Sequence, residues 1–183
     1  MYHNLENIEM QKEQKVLENK EVVLKELKFE EYIKPISATN SSLNEDNIAT
    51  KLGTITHKIF ELYWDKFEKI DINDILDKFE IIEETEQIKI KNSIENFKNS
   101  DVYKLLKSGV EHRFELEFNY QDKTGFIDLV YFDKDKAGWM IIDFKTGTKS
   151  NKKEEAYQKQ LEFYEEVLNN IGLSVVGKEI LWV

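Results

Sequence analysis

The chain has 183 residues, 40% apolar and 34% charged, with a formal charge of −10, one proline and no cysteine. That profile suits one folded domain with an extra arm, and it excludes general disorder, disulfides, thiolate-bound zinc and cysteine-held iron–sulfur clusters. The acidic total speaks against a broad nucleic-acid-binding face but leaves room for a small cationic or metal-filled site.

In chain order, the opening MYHNLENIEMQKEQK lacks the apolar segment of a signal peptide, and no stretch is long and apolar enough for a bilayer. A cytoplasmic protein without membrane contact is therefore expected. Residues 5 to 34 interleave Glu and Lys with Leu5, Ile8, Val16, Leu17, Val23, Leu24 and Leu27 at roughly helical intervals. They read as a charged helical arm or linker over 1–34, ahead of a domain over 35–183. Pro35 breaks the pattern and SATNSSLNED reads as a polar loop, with Ser42 or Asn44 placed to cap the next helix. In that helix Ile48, Leu52, Ile55, Ile59 and Leu62 form one apolar stripe. Helical patterns continue through DINDILDKFEIIEETEQIKIKNSIENFKNS and DVYKLLKSG.

From about residue 111 the period changes to two. HRFELEFNY alternates Phe114, Leu116 and Phe118 against Arg113, Glu115 and Glu117, which predicts a strand. GFIDLVYFD predicts a second strand, KDKAG a turn and WMIIDFKT a third strand. A helix from about 153 to 170 and a last strand or strand pair in SVVGKEILWV follow. Helices, three strands, a helix and a strand make an α/β or α+β domain around one sheet.

The charges in the second and third strands call for an explanation. In IIDFK, Asp143 and Lys145 share one face of a strand while Phe144 takes the other. A turn centred between Asp135 and Lys136 sets Asp128 opposite Asp143, with Cβ atoms roughly 5 Å apart, where like charges repel. A salt bridge to Lys145 answers for one carboxylate and leaves the other, so a hard divalent cation such as magnesium is the expected counter-charge. His57 lies off the apolar stripe of its helix, roughly 200° round from Ile55 and Ile59, on a face it shares with Gly53, Phe60 and Trp64. That face is expected to be covered, with Gly53 admitting a close neighbour. On the later helix Tyr157, Gln160, Leu161, Tyr164 and Leu168 share one side. A glutamine within that apolar stripe needs a partner, such as a phosphate, a water or the lysine.

In order, GTITH, the glutamate of ELEF, GFIDLV, IIDFKTG and YQKQLEFY resemble the signature of the PD-(D/E)XK nucleases. The nearest likeness is to the RecB- and AddA-type nuclease domains of bacterial helicase–nucleases, and it covers about residues 35 to 183. The resemblance implies a restriction-endonuclease-like core with a mixed central sheet. It implies a cytoplasmic, magnesium-dependent deoxyribonuclease, an exonuclease acting in double-strand-break repair and recombination, with manganese able to substitute. It makes His57, Asp128, Asp143 and the main-chain carbonyl of Phe144 metal ligands, and Lys145 the catalytic lysine beside Asp143 and Asp128. Gln160 and Tyr164 match the family's glutamine–tyrosine helix motif, and Glu115 matches a supporting glutamate on the first strand. The implied partners are DNA, a helicase motor in the same full-length chain and a second helicase–nuclease subunit. The missing cysteines set the chain apart from relatives that hold an iron–sulfur cluster, and GTKS is only a fragment of a phosphate-binding loop. The alternative function is a catalytically inactive nuclease-fold module that binds DNA or a partner protein.

Overall fold

A computed structural model of the chain describes residues 45–121, 123–147 and 151–183. The arm expected over 1–34 and the caps expected at Ser42 or Asn44 lie outside the described residues. Among the described residues, five helices and four strands follow in the order α1 (Glu45–Tyr63), α2 (Ile72–Lys78), α3 (Glu84–Asn99), α4 (Asp101–Lys107), β1 (His112–Tyr120), β2 (Lys123–Asp133), β3 (Gly138–Lys145), α5 (Asn151–Asn170) and β4 (Val175–Trp182). The elements match the periodicity of the sequence closely. Helix α1 begins at Glu45, inside the stretch that composition reads as loop, and α5 begins at Asn151.

Local chemistry marks the helix starts. The Asp71 carboxylate accepts from the Asn73 N–H at 2.9 Å ahead of α2, and Ser100 Oγ accepts from the Tyr103 N–H at 3.1 Å ahead of α4. Each satisfies a backbone donor that the first helical turn leaves unpaired.

The strands form one sheet in the order β1-β2-β3-β4. β1, β2 and β3 are antiparallel neighbours, and β4 lies parallel to β3. The parallel pair is joined through α5, the kind of long crossover that parallel strands require. The result is an α/β fold with a mixed four-stranded sheet, as expected of a restriction-endonuclease-like core.

Both faces of the sheet are covered. On one, Leu52, Ile59 and Phe60 of α1, Ile90, Ile94 and Phe97 of α3, and Leu106 of α4 pack with Leu129, Met140, Ile142 and Phe144. On the other, Leu161, Tyr164 and Leu168 of α5 pack with Ile127, Val130 and Ile141. Helix α1 is buried on two sides, since Phe60 and Thr56 are as enclosed as Ile59. This is the covered second face expected from its sequence. Phe60, Phe97 and Phe144 meet at ring centroid separations of 4.4 to 5.3 Å, an aromatic floor beneath the end of β3.

One strand departs from plain alternation. Phe114 packs on the α1–α4 side, whereas Leu116 and Phe118 pack on the α5 side, although all three share a parity. Their partners follow: Leu129 opposite Phe114 faces the first side, and Ile127 opposite Leu116 faces the second. Between them lie Glu115, whose φ of 47° is in the left-handed region, and Asp128; the ladder omits this pair. The single period-two strand expected over 112–120 thus reverses its faces at Glu115. Backbone strain of this kind costs about 1–3 kcal/mol and tends to gather at functional sites.

Candidate active site

Four elements, α1, β1, β2 and β3, converge at this irregularity. The hairpin register pairs Leu129 with Ile142 through to Asp133 with Gly138, the register that a turn centred between Asp135 and Lys136 dictates. Asp128 and Asp143 come next in line, and the ladder stops before them. Instead of facing Asp143 directly, Asp128 turns so that its Oδ2 accepts the Phe144 N–H at 2.7 Å. Two carboxylates across a ladder repel, and the backbone donor gives one of them a different place to go.

His57 reaches the same point from α1. Its Nδ1 is 3.4 Å from Asp128 Oδ1, and its ring meets the edge of the Phe144 ring at 5.8 Å between centroids. Burial opposes a charge on the imidazole, but Asp128 and Glu115 outweigh it and raise its pKa above the ordinary value. Gly53, one turn earlier, faces Thr146 of the segment after β3: a Cβ there would come within 3.3 Å of Thr146 Oγ1. The close neighbour that Gly53 admits is therefore the chain just beyond Lys145.

His57, Glu115 and Asp128 each bring one ligand atom into a group whose members all lie within 4.8 Å of one another. Glu115, which sequence reading gives only a supporting place, stands level with the other two. Burial and the Asp128 charge push its carboxyl up to about 7, with His57 working the other way. Its left-handed backbone is what the sequence does not signal, because glutamate seldom adopts it.

Asp143 is 1% exposed, and among the described residues neither of its oxygens accepts a well-directed hydrogen bond. The Lys145 ammonium lies 2.6 Å from Oδ2. Burial and Asp128 nonetheless push Asp143 up to about 6, with Lys145 and His57 offsetting part of the rise. A buried carboxylate so poorly served by donors is costly on its own and suits a cation. One imidazole nitrogen and several carboxylate oxygens make a donor set fitting magnesium or manganese. The residues therefore fit a divalent ion.

Gln160 and Tyr164 form the wall from α5. Gln160 Nε2 donates to the Tyr164 hydroxyl at 2.6 Å, so the partner seen for this amide is a residue of its own helix, not the phosphate, water or lysine that the sequence suggested. Burial, with help from Asp128, Asp143 and Glu115, raises the phenol to about 12, against the pull of Gln160. Tyr164 thus keeps its proton beside three acids. Phe144 is buried with its ring in the aromatic floor, and its backbone pairs with Leu181 of β4.

No helix among the described residues is long and apolar enough to cross a membrane. No curated protein matches the sequence. The chain does match the family pattern of the PD-(D/E)XK nuclease superfamily over residues 26–182, a span that holds every residue of this site and implies nuclease chemistry. With most of its length inside that match and a carboxylate–lysine strand at the focus of a mixed sheet, the chain belongs to the PD-(D/E)XK nuclease superfamily.

Proposed function

We propose that the protein is a metal-dependent DNA nuclease that hydrolyses phosphodiesters as an exonuclease, in the manner of RecB- and AddA-type domains. The observation that carries this reading is the meeting of His57, Glu115 and Asp128 within ligand reach of one another, beside the buried Asp143–Lys145 pair.

His57, Glu115, Asp128 and Asp143, with the Phe144 carbonyl, would hold the divalent ion, magnesium in the first place. Once bound, such an ion polarises a phosphate oxygen and lowers the pKa of an attacking water. The remaining work belongs to the protein's own groups. Asp128, fixed by the Phe144 N–H, orients the His57 ring. Lys145 presents a positive charge 2.6 Å from Asp143, where a phosphate can draw it forward as charge builds on phosphorus. Tyr164, protonated and steadied by Gln160, is a neutral donor for a phosphate oxygen or its water. The aromatic floor keeps water from the far side of this group.

A helicase–nuclease setting agrees with the formal charge of −10, since a domain of net negative charge gains from a motor and a second subunit that hold the DNA. Repair and recombination are the processes such an assembly serves.

End-labelled single- and double-stranded DNA, incubated with magnesium, manganese or EDTA, tests the proposal. Stepwise release of nucleotides with either ion and none with EDTA is expected. Lys145→Ala should fold, bind the ion and lose a factor of about 10² to 10³ in rate. Near-normal cleavage by that variant would remove Lys145 from the chemistry. No cleavage by the wild type, together with no divalent binding in calorimetry, would make the cluster an internal ion-pair network.

A further inference from the structure

Lys145 has a second neighbour besides Asp143. Its ammonium stands 4.7 Å from the centroid of the Tyr157 ring, over the aromatic face. Tyr157 is in the second turn of α5, one turn before Gln160, and is half-buried. Its ring is held in turn against Trp182, with centroids 6.1 Å apart and planes at 63°. Trp182 is the register partner of Lys145 in the parallel ladder, and the Val183 N–H donates to the Lys145 carbonyl at 3.0 Å. The lysine is thus gripped twice from the far end of the chain: its backbone by β4, its head by a ring that β4 braces.

We propose that Tyr157 is a positioning residue for Lys145, its ring face holding the ammonium at the site while leaving the ammonium protons free for a phosphate oxygen. This rests on the nuclease reading and adds a residue to it. A lysine side chain has four rotatable bonds and a strongly hydrated head, so one ion pair does little to fix where the charge points. Asp143, two residues away on the same strand face, tends to draw the ammonium onto itself. An aromatic face opposes that pull differently from a second carboxylate: it attracts the charge through the ring quadrupole without taking a full hydrogen bond. The head stays in place and keeps donors available.

Full-length protein carrying Tyr157→Leu or Tyr157→Phe, and a series with increasingly fluorinated phenylalanine at 157, provides the test. Tyr157→Leu should lower kcat about 10-fold with KM nearly unchanged. Tyr157→Phe keeps the face and should return the rate to within about twofold of wild type. Across the fluorinated series log kcat should fall steadily as the ring face becomes less negative, a trend that a merely space-filling ring would not produce. Circular dichroism and divalent-ion calorimetry on Tyr157→Leu should match wild type, since Tyr157 is not among the ion's proposed ligands. An unchanged kcat in Tyr157→Leu, or no trend with fluorination, overturns the proposal. NMR separates its failure from that of the nuclease reading. The Lys145 ε-methylene protons should be shifted upfield by the ring in wild type and Tyr157→Phe, and not in Tyr157→Leu. If wild-type protein cleaves nothing, that shift still decides whether Tyr157 holds the lysine head, and its absence overturns the proposal.

Discussion

From Leu129 to Asp133 the second strand pairs with Ile142 to Gly138 residue for residue, whereas one step further along, at Asp128 and Asp143, the ladder opens. The two halves of the hairpin are built from the same backbone and differ in what their side chains want. Leu129, Val130, Ile141 and Ile142 gain by lying flat against helices on either face. Asp128, Asp143 and Glu115 instead gather at one point, where a backbone N–H, a lysine and an imidazole face them. Regular pairing is the cheap default, and its interruption marks where the protein keeps charge for use.

Substitutions on the two sides of that boundary should separate rate from stability. Asp128→Asn should cost about 10² to 10³ in turnover and most of the divalent affinity while changing the melting temperature little. Met140→Ala, at the regular end and 8% exposed, should do the reverse: about 2–4 kcal/mol of stability lost, with turnover per folded molecule kept. Urea titrations and initial rates measured on both proteins check this, and equal losses in both quantities would erase the distinction.

Stability should also depend on pH at the irregular end. Glu115 is pushed up to about 7 and Asp143 to about 6, so the native protein holds these protons to higher pH than the unfolded chain does. The native state then binds more protons, and its stability must fall as pH rises from about 4 through 7. Without divalent ions the melting temperature should drop across that window, and Glu115→Gln or Asp143→Asn should flatten the drop. Magnesium added above pH 7 should recover it by binding the native form alone. A flat profile would mean that the carboxylates are not held as described.

The backbone at Glu115 offers a finer test. Glu115→Gly and Glu115→Ala both remove the carboxylate, but only glycine accepts a φ of 47° without steric cost. Glu115→Gly should be the more stable of the two by about 1 kcal/mol in urea unfolding, and the opposite order would deny the strain. The smallest effect is expected from Gly53→Ala. Its new Cβ would lie 3.3 Å from Thr146 Oγ1, asking the segment after Lys145 to shift by a few tenths of an ångström. A loss of roughly two- to fivefold in rate with little change in melting temperature is expected.

Much of this was legible before any coordinates. Hydrophobic periodicity placed the helices and strands because each element buries one face, and that need repeats every 3.6 or two residues. The hairpin register was legible because a short turn leaves few ways to pair two strands. Asp128, Asp143 and Lys145 stood out as charges inside apolar runs, and Gln160 as an amide on an apolar face. Other features were not legible. The reversal of faces at Glu115 brings together groups from neighbouring strands and α1, and nothing in HRFELEFNY alone announces it. Thr146 against Gly53 and Tyr157 over Lys145 join residues far apart in the chain or on different elements. Sequence by itself determined the elements, their order and the reactive groups, since these follow from local bonding and from which side chains avoid water. Only tertiary structure decided how those groups face one another, because that depends on distances between strands and helices that no local pattern encodes.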